Sequence, residues 1–134
     1  MTNDQSQIND VVRTFFAAFT SDSDIGPRLD GLREVLLPEA LIVRTCGSPM
    51  SYDVDGFIEP RRQMLTSGRI TDFREWQVDG ATEVYGDIAH HWCTYAKEWV
   101  EGGEQVTGTG AKTIQLVRTE AGWRISAIAW DDER

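Results

Sequence analysis

The chain has 134 residues, 40% of them hydrophobic and 26% charged, which is the composition of a protein that folds around one hydrophobic core. Its formal net charge of -9 would repel phosphate backbones and anionic membrane surfaces, so neither nucleic acid nor a membrane is predicted as a partner. No apolar run approaches the roughly 20 residues that cross a bilayer, and the polar N-terminus lacks the layout of a signal peptide. The sequence therefore predicts a single cytoplasmic domain over residues 1–134.

Two helices are predicted in the first part of the chain. Apolar side chains recur every three or four positions across residues 8–19, which is the spacing of one helix face. A second, shorter helix is predicted to begin at Pro27, because proline suits the first turn of a helix, and to end at Pro38. Residues 40–45 follow as a short apolar strand.

A loop over residues 46–53 separates that strand from a third predicted helix, which lies between residues 53 and 67. Asp53 or Asp55 would accept hydrogen bonds from the free N–H groups of its first turn. Pro60 allows two interpretations that the sequence does not separate. Either it kinks this helix, or it begins a new helix after a turn.

The second half of the chain predicts four consecutive strands. The first covers residues 71–84, with alternating apolar positions and a bulge at Gly80. Three more are predicted over residues 88–100, 105–118 and 123–130, separated by turns that contain glycine. Helices followed by consecutive strands indicate an α+β fold rather than a parallel sheet.

Three strand motifs resemble those of one known superfamily. They are Gly86-Asp87-Ile88-Ala89 at the start of a long strand, Gly108-Thr109-Gly110 within the next, and the terminal Gly122-Trp123-Arg124-Ile125. With the order of elements, they resemble the nuclear transport factor 2-like (SnoaL-like) superfamily over essentially the whole chain. The resemblance implies a cystatin-like cone, in which three N-terminal helices pack on a strongly curved mixed or antiparallel sheet around an internal pocket.

This resemblance does not by itself imply a reaction, because the superfamily includes isomerases, dehydratases, cyclases, epoxide hydrolases and transport factors. In its ketosteroid isomerases, an aspartate base, a tyrosine and a second acid carry the chemistry. The matching positions here hold Arg44, Phe15 or Phe16, and Gln115. Ketosteroid isomerisation is therefore not expected.

Strand alternation decides which side chains can share a pocket. We expect the even-numbered residues of strand 88–100 to face the helices, as the resemblance implies, and the opposite alternation stays open as the alternative. The pocket would then have an apolar wall, a few polar positions and a mouth. The wall would be Phe15, Phe19, Trp92, Ile128 and Trp130, the polar positions Arg44, His90, Thr113 and Gln115, and the mouth Tyr52 and Arg62, unless these two are plain surface residues.

His90 is the candidate acid–base group of this pocket, because histidine titrates near neutral pH; the alternative is an inert, hydrogen-bonded core histidine. Arg44 would bind an anionic or carbonyl-bearing ligand, or would pair with Asp131 or Asp132. Those two aspartates would otherwise act as a base or stay solvated. Neither a metal nor a cofactor is predicted, because His90 and His91 point to opposite faces and no phosphate-binding glycine loop occurs.

On the same alternation, the other face of the sheet would be apolar, and a second copy of the chain is predicted to cover it in a homodimer. Its residues would be Tyr95, Trp99, Ile114, Leu116, Ala127 and Ala129. The predicted function is that of a pocket protein for a small, largely apolar molecule. It would be a cofactor-independent isomerase, dehydratase or cyclase that uses His90 and Arg44, or else a non-catalytic ligand-binding or dimeric adaptor module.

Overall fold

In the computed structural model, which describes residues 3–133, three helices pack on a mixed sheet of six strands. The helices are α1 (Asp4–Ala17), α2 (Ile25–Val35) and α3 (Val54–Thr66). The strands are β1 (Leu36–Arg44), β2 (Met50–Tyr52), β3 (Ile70–Tyr85), β4 (Ile88–Glu101), β5 (Glu104–Thr119) and β6 (Gly122–Asp132). Their order in the sheet is β2-β1-β6-β5-β4-β3, and all neighbours are antiparallel except β1 and β6. The predicted α+β class with three helices is confirmed.

The first two helices begin earlier than the sequence predicts. The polar residues before Ile8 extend α1 to Asp4 without adding to its buried face. α2 begins at Ile25, which places Pro27 in the first helical turn, where its missing N–H removes no helical hydrogen bond. Within residues 3–133, no helix has the length and apolar content that a bilayer crossing requires.

The strand after α2 is longer than predicted. The chain becomes extended directly after Val35, so the predicted end of the helix at Pro38 is wrong. Pro38 lies inside β1, where the pairing with β6 is interrupted between Leu36 and Leu41 and no ladder hydrogen bond from the proline is needed. β2 was predicted as loop, because its three residues follow a Gly-Ser-Pro turn and carry no periodic pattern of their own.

Residues 54–66 form one helix, α3, so Pro60 does not begin a new helix after a turn. The Asp53 side chain caps it by accepting a 2.7 Å hydrogen bond from the Gly56 N–H, as predicted. Pro60 lies inside the helix without ending it. The buried apolar residues of α3 lie on both sides of the proline and hold the helix in place: Val54, Phe57, Ile58 and Leu65.

The irregularities of β3 lie elsewhere than predicted. Its register with β4 shifts between Thr71 and Arg74 and again between Gln77 and Asp79, whereas Gly80 pairs regularly with Cys93. The predicted bulge at Gly80 is therefore wrong. The glycine is needed there for another reason: a Cβ atom would lie 2.8 Å from Gln77 Oε1 and 2.9 Å from His91 Cε1.

The predicted alternation of β4 is also wrong. Its odd-numbered residues pack against the helices, with Cys93 fully buried and His91 only 3% exposed. The even-numbered residues face outward, so that Ile88 is 59% and Trp92 52% exposed. Both alternate sets of β4 contain a histidine and an aromatic residue, and hydrophobicity alone therefore favoured neither.

Because β5 pairs with β4, the reversed alternation of inward and outward residues also applies to β5. On β6 it applies only in part. Lys112, Ile114 and Leu116 pair with inward residues of β4 and are buried, so that Thr113 and Gln115 face outward. On β6, Ile128 and Trp130 face inward as predicted. At the register shift between Gln115 and Leu116, Ser126 has no partner on β5. The inward and outward positions of β6 are therefore offset by one residue on the two sides of Ser126.

The reversed alternation also corrects the predicted dimer face. Tyr95, Ile114 and Leu116 are at most 1% exposed and belong to the core. Trp99 is partly buried and packs against that core. Of the predicted set, only Ala127 and Ala129 lie on the outer face.

Alanine substitutions at two glycines test the close packing of Gln77 and His91 against Gly80. Gly80→Ala should lower the free energy of unfolding by about 1–3 kcal/mol, because the added methyl group must displace Gln77 or His91. Gly31→Ala is the matched control: no atom lies within 4 Å of its Cβ position in α2. Alanine there should raise stability by about 0.5–1 kcal/mol. Urea unfolding checks both, and a Gly80→Ala protein as stable as the wild type would contradict the packing described.

Candidate functional site

A cavity of about 200 Å³ lies between α3 and the inner face of β3, β4, β5 and β6, and is called the inner cavity below. Aromatic side chains form much of its wall, together with charged groups from three strands, α3 and the turn after α3. The aromatic residues are Phe19, Phe57, Phe73, Tyr95, Trp99 and Trp130. The charged residues are Arg61, Arg69, Glu75, Lys97, Glu101 and Lys112.

A buried ion pair is the central feature of this cavity. Lys112 Nζ lies 3.1 Å from Glu75 Oε2, and the two side chains are only 5% and 10% exposed. The ammonium group also lies 4.3 Å from the centroid of the Tyr95 ring and 5.0 Å from that of Trp130. Cation–π attraction and the carboxylate together offset the cost of removing the lysine from water.

One oxygen of this pair is buried without a directed hydrogen bond from the described residues. The 3.1 Å contact has the distance of an ion pair but not the direction of a hydrogen bond, so Glu75 Oε2 accepts no hydrogen bond within residues 3–133. A buried carboxylate oxygen in this state is a strong acceptor, and Glu75 lines the inner cavity. It can accept a hydrogen bond or a proton from a bound molecule.

The strands explain how two residues on β3 and β5 meet across β4. Both side chains are long and lean over β4, where Cys93 is small and lies opposite Lys112. Burial raises the pKa of the Cys93 thiol to about 11, so it stays protonated at neutral pH. Gly110 gives room on β5 for the Tyr95 ring and hydroxyl, which a Cβ atom at this position would overlap.

Tyr95 connects the cavity to the end of β6. Its hydroxyl donates a short hydrogen bond to Asp132 Oδ1, and Lys97 Nζ lies 3.1 Å from both carboxylate oxygens. Burial opposes ionisation of Asp132, but these hydrogen bonds outweigh it and lower its pKa. Burial and the neighbouring carboxylate raise the pKa of Tyr95. Asp132 is thus paired with Lys97 and Tyr95 and not with Arg44.

A cation from α3 completes the lining. Arg61 Cζ lies 3.9 Å from the centroid of the Phe57 ring and 5.3 Å from that of Trp130, and Nη1 donates a 3.2 Å hydrogen bond to the Phe57 carbonyl. Burial lowers the pKa of Arg61 to about 10, so the group remains charged at neutral pH. Arg62 points away from the cavity and pairs with Asp30 and Glu59.

A wider groove, about 680 Å³, runs between α1 and β3 and holds a second polar cluster around the buried His91. His91 Nε2 lies 2.7 Å from Gln77 Oε1 and Nδ1 lies 2.7 Å from Thr82 Oγ1. A carbonyl oxygen only accepts, so Nε2 carries the proton and Nδ1 accepts from the threonine. Gln5 Nε2 donates to the same threonine at 3.1 Å. Glu75 also lines this groove.

Three of the four predicted polar residues lie together, but on the outer face of the sheet and not in the inner cavity. His90 and Gln115 pair across β4 and β5 on the outer face, where His90 Nε2 lies 2.5 Å from Thr113 Oγ1. Arg44 is exposed at the end of β1. The proposed acid–base role of His90 depended on an inward position, and its side chain is on the opposite side of the sheet from the inner cavity.

The predicted apolar wall is present in part. Phe19 and Trp130 line the inner cavity, whereas Phe15 and Ile128 are buried in the core beside it. Trp92 lies on the outer face. Tyr52 is half-buried, and its ring centroid lies 6.0 Å from Arg61 Cζ.

The sequence contained one signal for the residues that were missed. Lys112 is in phase with Ile114 and Leu116, and Glu75 is in phase with Phe73. A charged residue at a position that alternation assigns to the core indicates a buried, partnered charge. Arg61 and Tyr95 carried no comparable signal.

Comparison with known proteins agrees with the geometry at the level of fold. No protein-family model and no curated protein matches the chain by sequence. Solved structures do match. A nuclear transport factor 2-like protein with a cystatin-like fold from Novosphingobium aromaticivorans superposes with a TM-score of 0.75 at 16% identity, over 96% of this chain and 81% of that chain.

Two further structures are similar to the same extent. A nuclear transport factor 2-like superfamily protein from Salmonella enterica has a TM-score of 0.78 at 13% identity, over 96% of this chain and 89% of that chain. A protein from N. aromaticivorans, proposed to be an aromatic-ring hydroxylase, has a TM-score of 0.73 at 23% identity, over 96% and 88%. The chain therefore has the cystatin-like fold of nuclear transport factor 2-like proteins, as its strand motifs predicted. This likeness transfers no activity.

The state of His91 gives a prediction for stability against pH. Burial, and then the charge of His90, lower the pKa of His91 below its usual value. The unfolded chain, with a histidine pKa of about 6.5, therefore binds more protons than the folded one once the pH falls toward that value. Stability should be fully present above about pH 6.5 and should decrease below it, by at most about 1.4 kcal/mol per pH unit from this group.

Urea unfolding at several pH values measures this slope, and His91→Gln, which does not titrate, is the comparison. The difference between the two proteins isolates the histidine from carboxylates that titrate in both. Equal slopes between pH 7 and pH 5.5 would show that His91 is not held neutral.

Proposed function

We propose that the chain binds a small, largely apolar molecule in the inner cavity and that Glu75 and Lys112 act on it by proton transfer. The observation that carries the proposal is the buried Glu75–Lys112 pair, whose Oε2 atom accepts no directed hydrogen bond within residues 3–133. Buried ionic groups that line a cleft are found in catalytic sites as well as in structural ion pairs.

The dimensions of the cavity support a ligand of modest size. Its volume of about 200 Å³ is below the roughly 300–1,000 Å³ of sites for drug-sized molecules. Phe57 and Trp130 meet edge to face with centroids 5.8 Å apart, and Phe19 lies 5.9 Å from Phe57. These ring faces and edges favour a flat or compact apolar body.

The chemistry follows from the two charged groups. Glu75 Oε2 would take a proton from a carbon next to a carbonyl group, so that the C–H bond breaks and its electron pair forms an enolate. Lys112 Nζ would donate a hydrogen bond to the developing negative oxygen. Returning the proton to another carbon isomerises the substrate, and returning it to a departing hydroxyl group dehydrates it. Each sequence conserves protons and electrons with no further reactant.

Proton exchange tests this step. The wild type, incubated in D2O with small cyclic and aryl ketones, should catalyse loss of the α-proton signals in the NMR spectrum. Glu75→Gln should reduce the rate by roughly a hundredfold or more, because general-base catalysis contributes on the order of 10²–10⁴. Glu83→Gln, an exposed residue on the outward face of the same strand, is the matched control and should leave the rate unchanged.

A second variant separates chemistry from folding. Glu75→Gln leaves Lys112 without its counter-ion, and breaking a buried pair costs about 3–5 kcal/mol. Glu75→Gln/Lys112→Met removes both charges and should recover most of the stability without recovering exchange. Wild-type exchange that survives in the double variant would overturn the catalytic role. Ketone binding with no exchange in the wild type would favour a binding module without catalysis.

We also propose that a second copy of the chain covers the outer face of the sheet. Trp92 and Ile88 of β4 and Leu41 of β1 are 52%, 59% and 51% exposed, with small residues between them on β6. Ala127 and Ala129 are those small residues, and they permit another sheet to approach closely. Large exposed apolar side chains on one face of a sheet, here with polar residues such as His90 and Gln115 between them, fit an interface with another protein surface.

Sedimentation equilibrium tests the dimer. The wild type should show twice the 15.1 kDa mass of the chain, and Trp92→Glu should shift it to monomer, because burying an unpaired carboxylate costs several kcal/mol. Val78→Glu, at a similarly exposed position where the β3–β4 register shifts, should remain dimeric. A monomeric wild type at all concentrations would contradict the proposal.

A further inference from the structure

We infer that the molecule bound in the inner cavity carries a carboxylate group and that Arg61 binds this group. The inference rests on the proposed function and names the substrate class for the same site. It concerns the one end of the cavity that the Glu75–Lys112 pair does not neutralise.

Arg61 is a partly buried cation for which no acidic partner is found in the described part of the chain. No carboxylate within residues 3–133 forms an ion pair with it, although Arg33 and Arg62, close to it in the helical layer, each pair with two acids. The Phe57 carbonyl accepts its hydrogen bond at 3.2 Å. A guanidinium group has five N–H donors, so most of them remain available on the cavity side.

The other charges of the cavity compensate for this cation only in part, because Glu75 acts on it from a distance and is already paired with Lys112. Lys112 is neutralised by Glu75, and Lys97 is neutralised by Asp132. Glu101 accepts a 3.1 Å hydrogen bond from the Trp99 indole and lies at the exposed end, with Arg69 also there. Burial lowers the pKa of Arg61; the charge of Glu75 favours its charged form, and the charge of Arg44 disfavours it. An anionic ligand would restore neutrality at this end.

The shape of the site favours a carboxylate over a spherical anion. Arg61 Cζ lies over the Phe57 ring, 3.9 Å from its centroid. A guanidinium group can bind a carboxylate through two parallel hydrogen bonds, which a spherical anion does not match. Phe57 and Trp130 flank both the guanidinium group and the cavity beyond it. A small arylcarboxylate or arylalkylcarboxylate would place its charge on Arg61 and its ring among these side chains. Its carbonyl-bearing part would then lie toward Glu75 and Lys112.

Calorimetric titration with phenylacetate and with phenylacetamide tests the inference, because the two probes have the same shape and differ in charge. The wild type should bind phenylacetate at least about tenfold more tightly than the amide, as charge-assisted hydrogen bonds confer in a desolvated site. Arg61→Met, which keeps the apolar length of the side chain, should reduce this ratio to near one. Arg62→Met, the matched control on the outer side of α3, should keep it.

Arg61→Lys guards against a folding defect, since it retains the charge and should keep a preference intermediate between those of the wild type and Arg61→Met. Equal binding of the two probes by the wild type, or an unchanged ratio in folded Arg61→Met, would overturn the inference while leaving an apolar binding cavity intact. Absence of binding for both probes would also overturn it. In that case the ketone exchange experiment decides separately whether proton transfer at Glu75 stands.

Discussion

The ammonium group of Lys112 is the constraint on which the inner side of this fold depends. Removing an isolated charge from water costs several kcal/mol, and that cost must be offset at the same place. Here it is offset by Glu75 at 3.1 Å and by the ring faces of Tyr95 and Trp130. Sliding β5 by one residue would expose Lys112 and break all these contacts, so the buried pair specifies the register of the sheet as well as the chemistry of the cavity. The room that Gly110 leaves for Tyr95 belongs to the same arrangement.

The periodic spacing of apolar residues was sufficient to predict the helices and long strands, but not which face of the sheet packs against the helices. The helices, the four long strands, their order and the cap at Asp53 were predictable because each depends on residues close together in sequence. The inward face of β4 was not, because His91 is acceptable in the core only through Gln77 and Thr82, which lie on β3. The pattern of residues along one strand does not show which hydrogen-bond partners another strand supplies. Ser126 added a second difficulty, since an unpaired residue changes the phase of β6 relative to β5.

The candidate site shows the same limit at the level of single residues. Arg61 and Arg62 are adjacent and chemically identical, yet one lies among aromatic rings and the other pairs with acids at the surface. Their difference arises from the rotation of α3 on the sheet, which the burial of Phe57 and Leu65 fixes. Structures with the same fold at 13–23% identity do not supply this information, because the fold can be kept while every polar group in the cavity changes.

Alternation along β4 and β5 links the inner cavity to the outer face. The residues that point inward, Cys93 and Lys112, alternate with Trp92 and Thr113, which point outward from the same stretch of backbone. The paired strands β4 and β5 therefore carry a buried charge on one face and an exposed tryptophan on the other, so a shift of their backbone would change both faces. If a second copy covers Trp92, it holds the backbone of β4 and β5 at the point where Glu75 and Lys112 meet. Assembly on the outer face would then act on the cavity through backbone position, without any residue of the partner entering it.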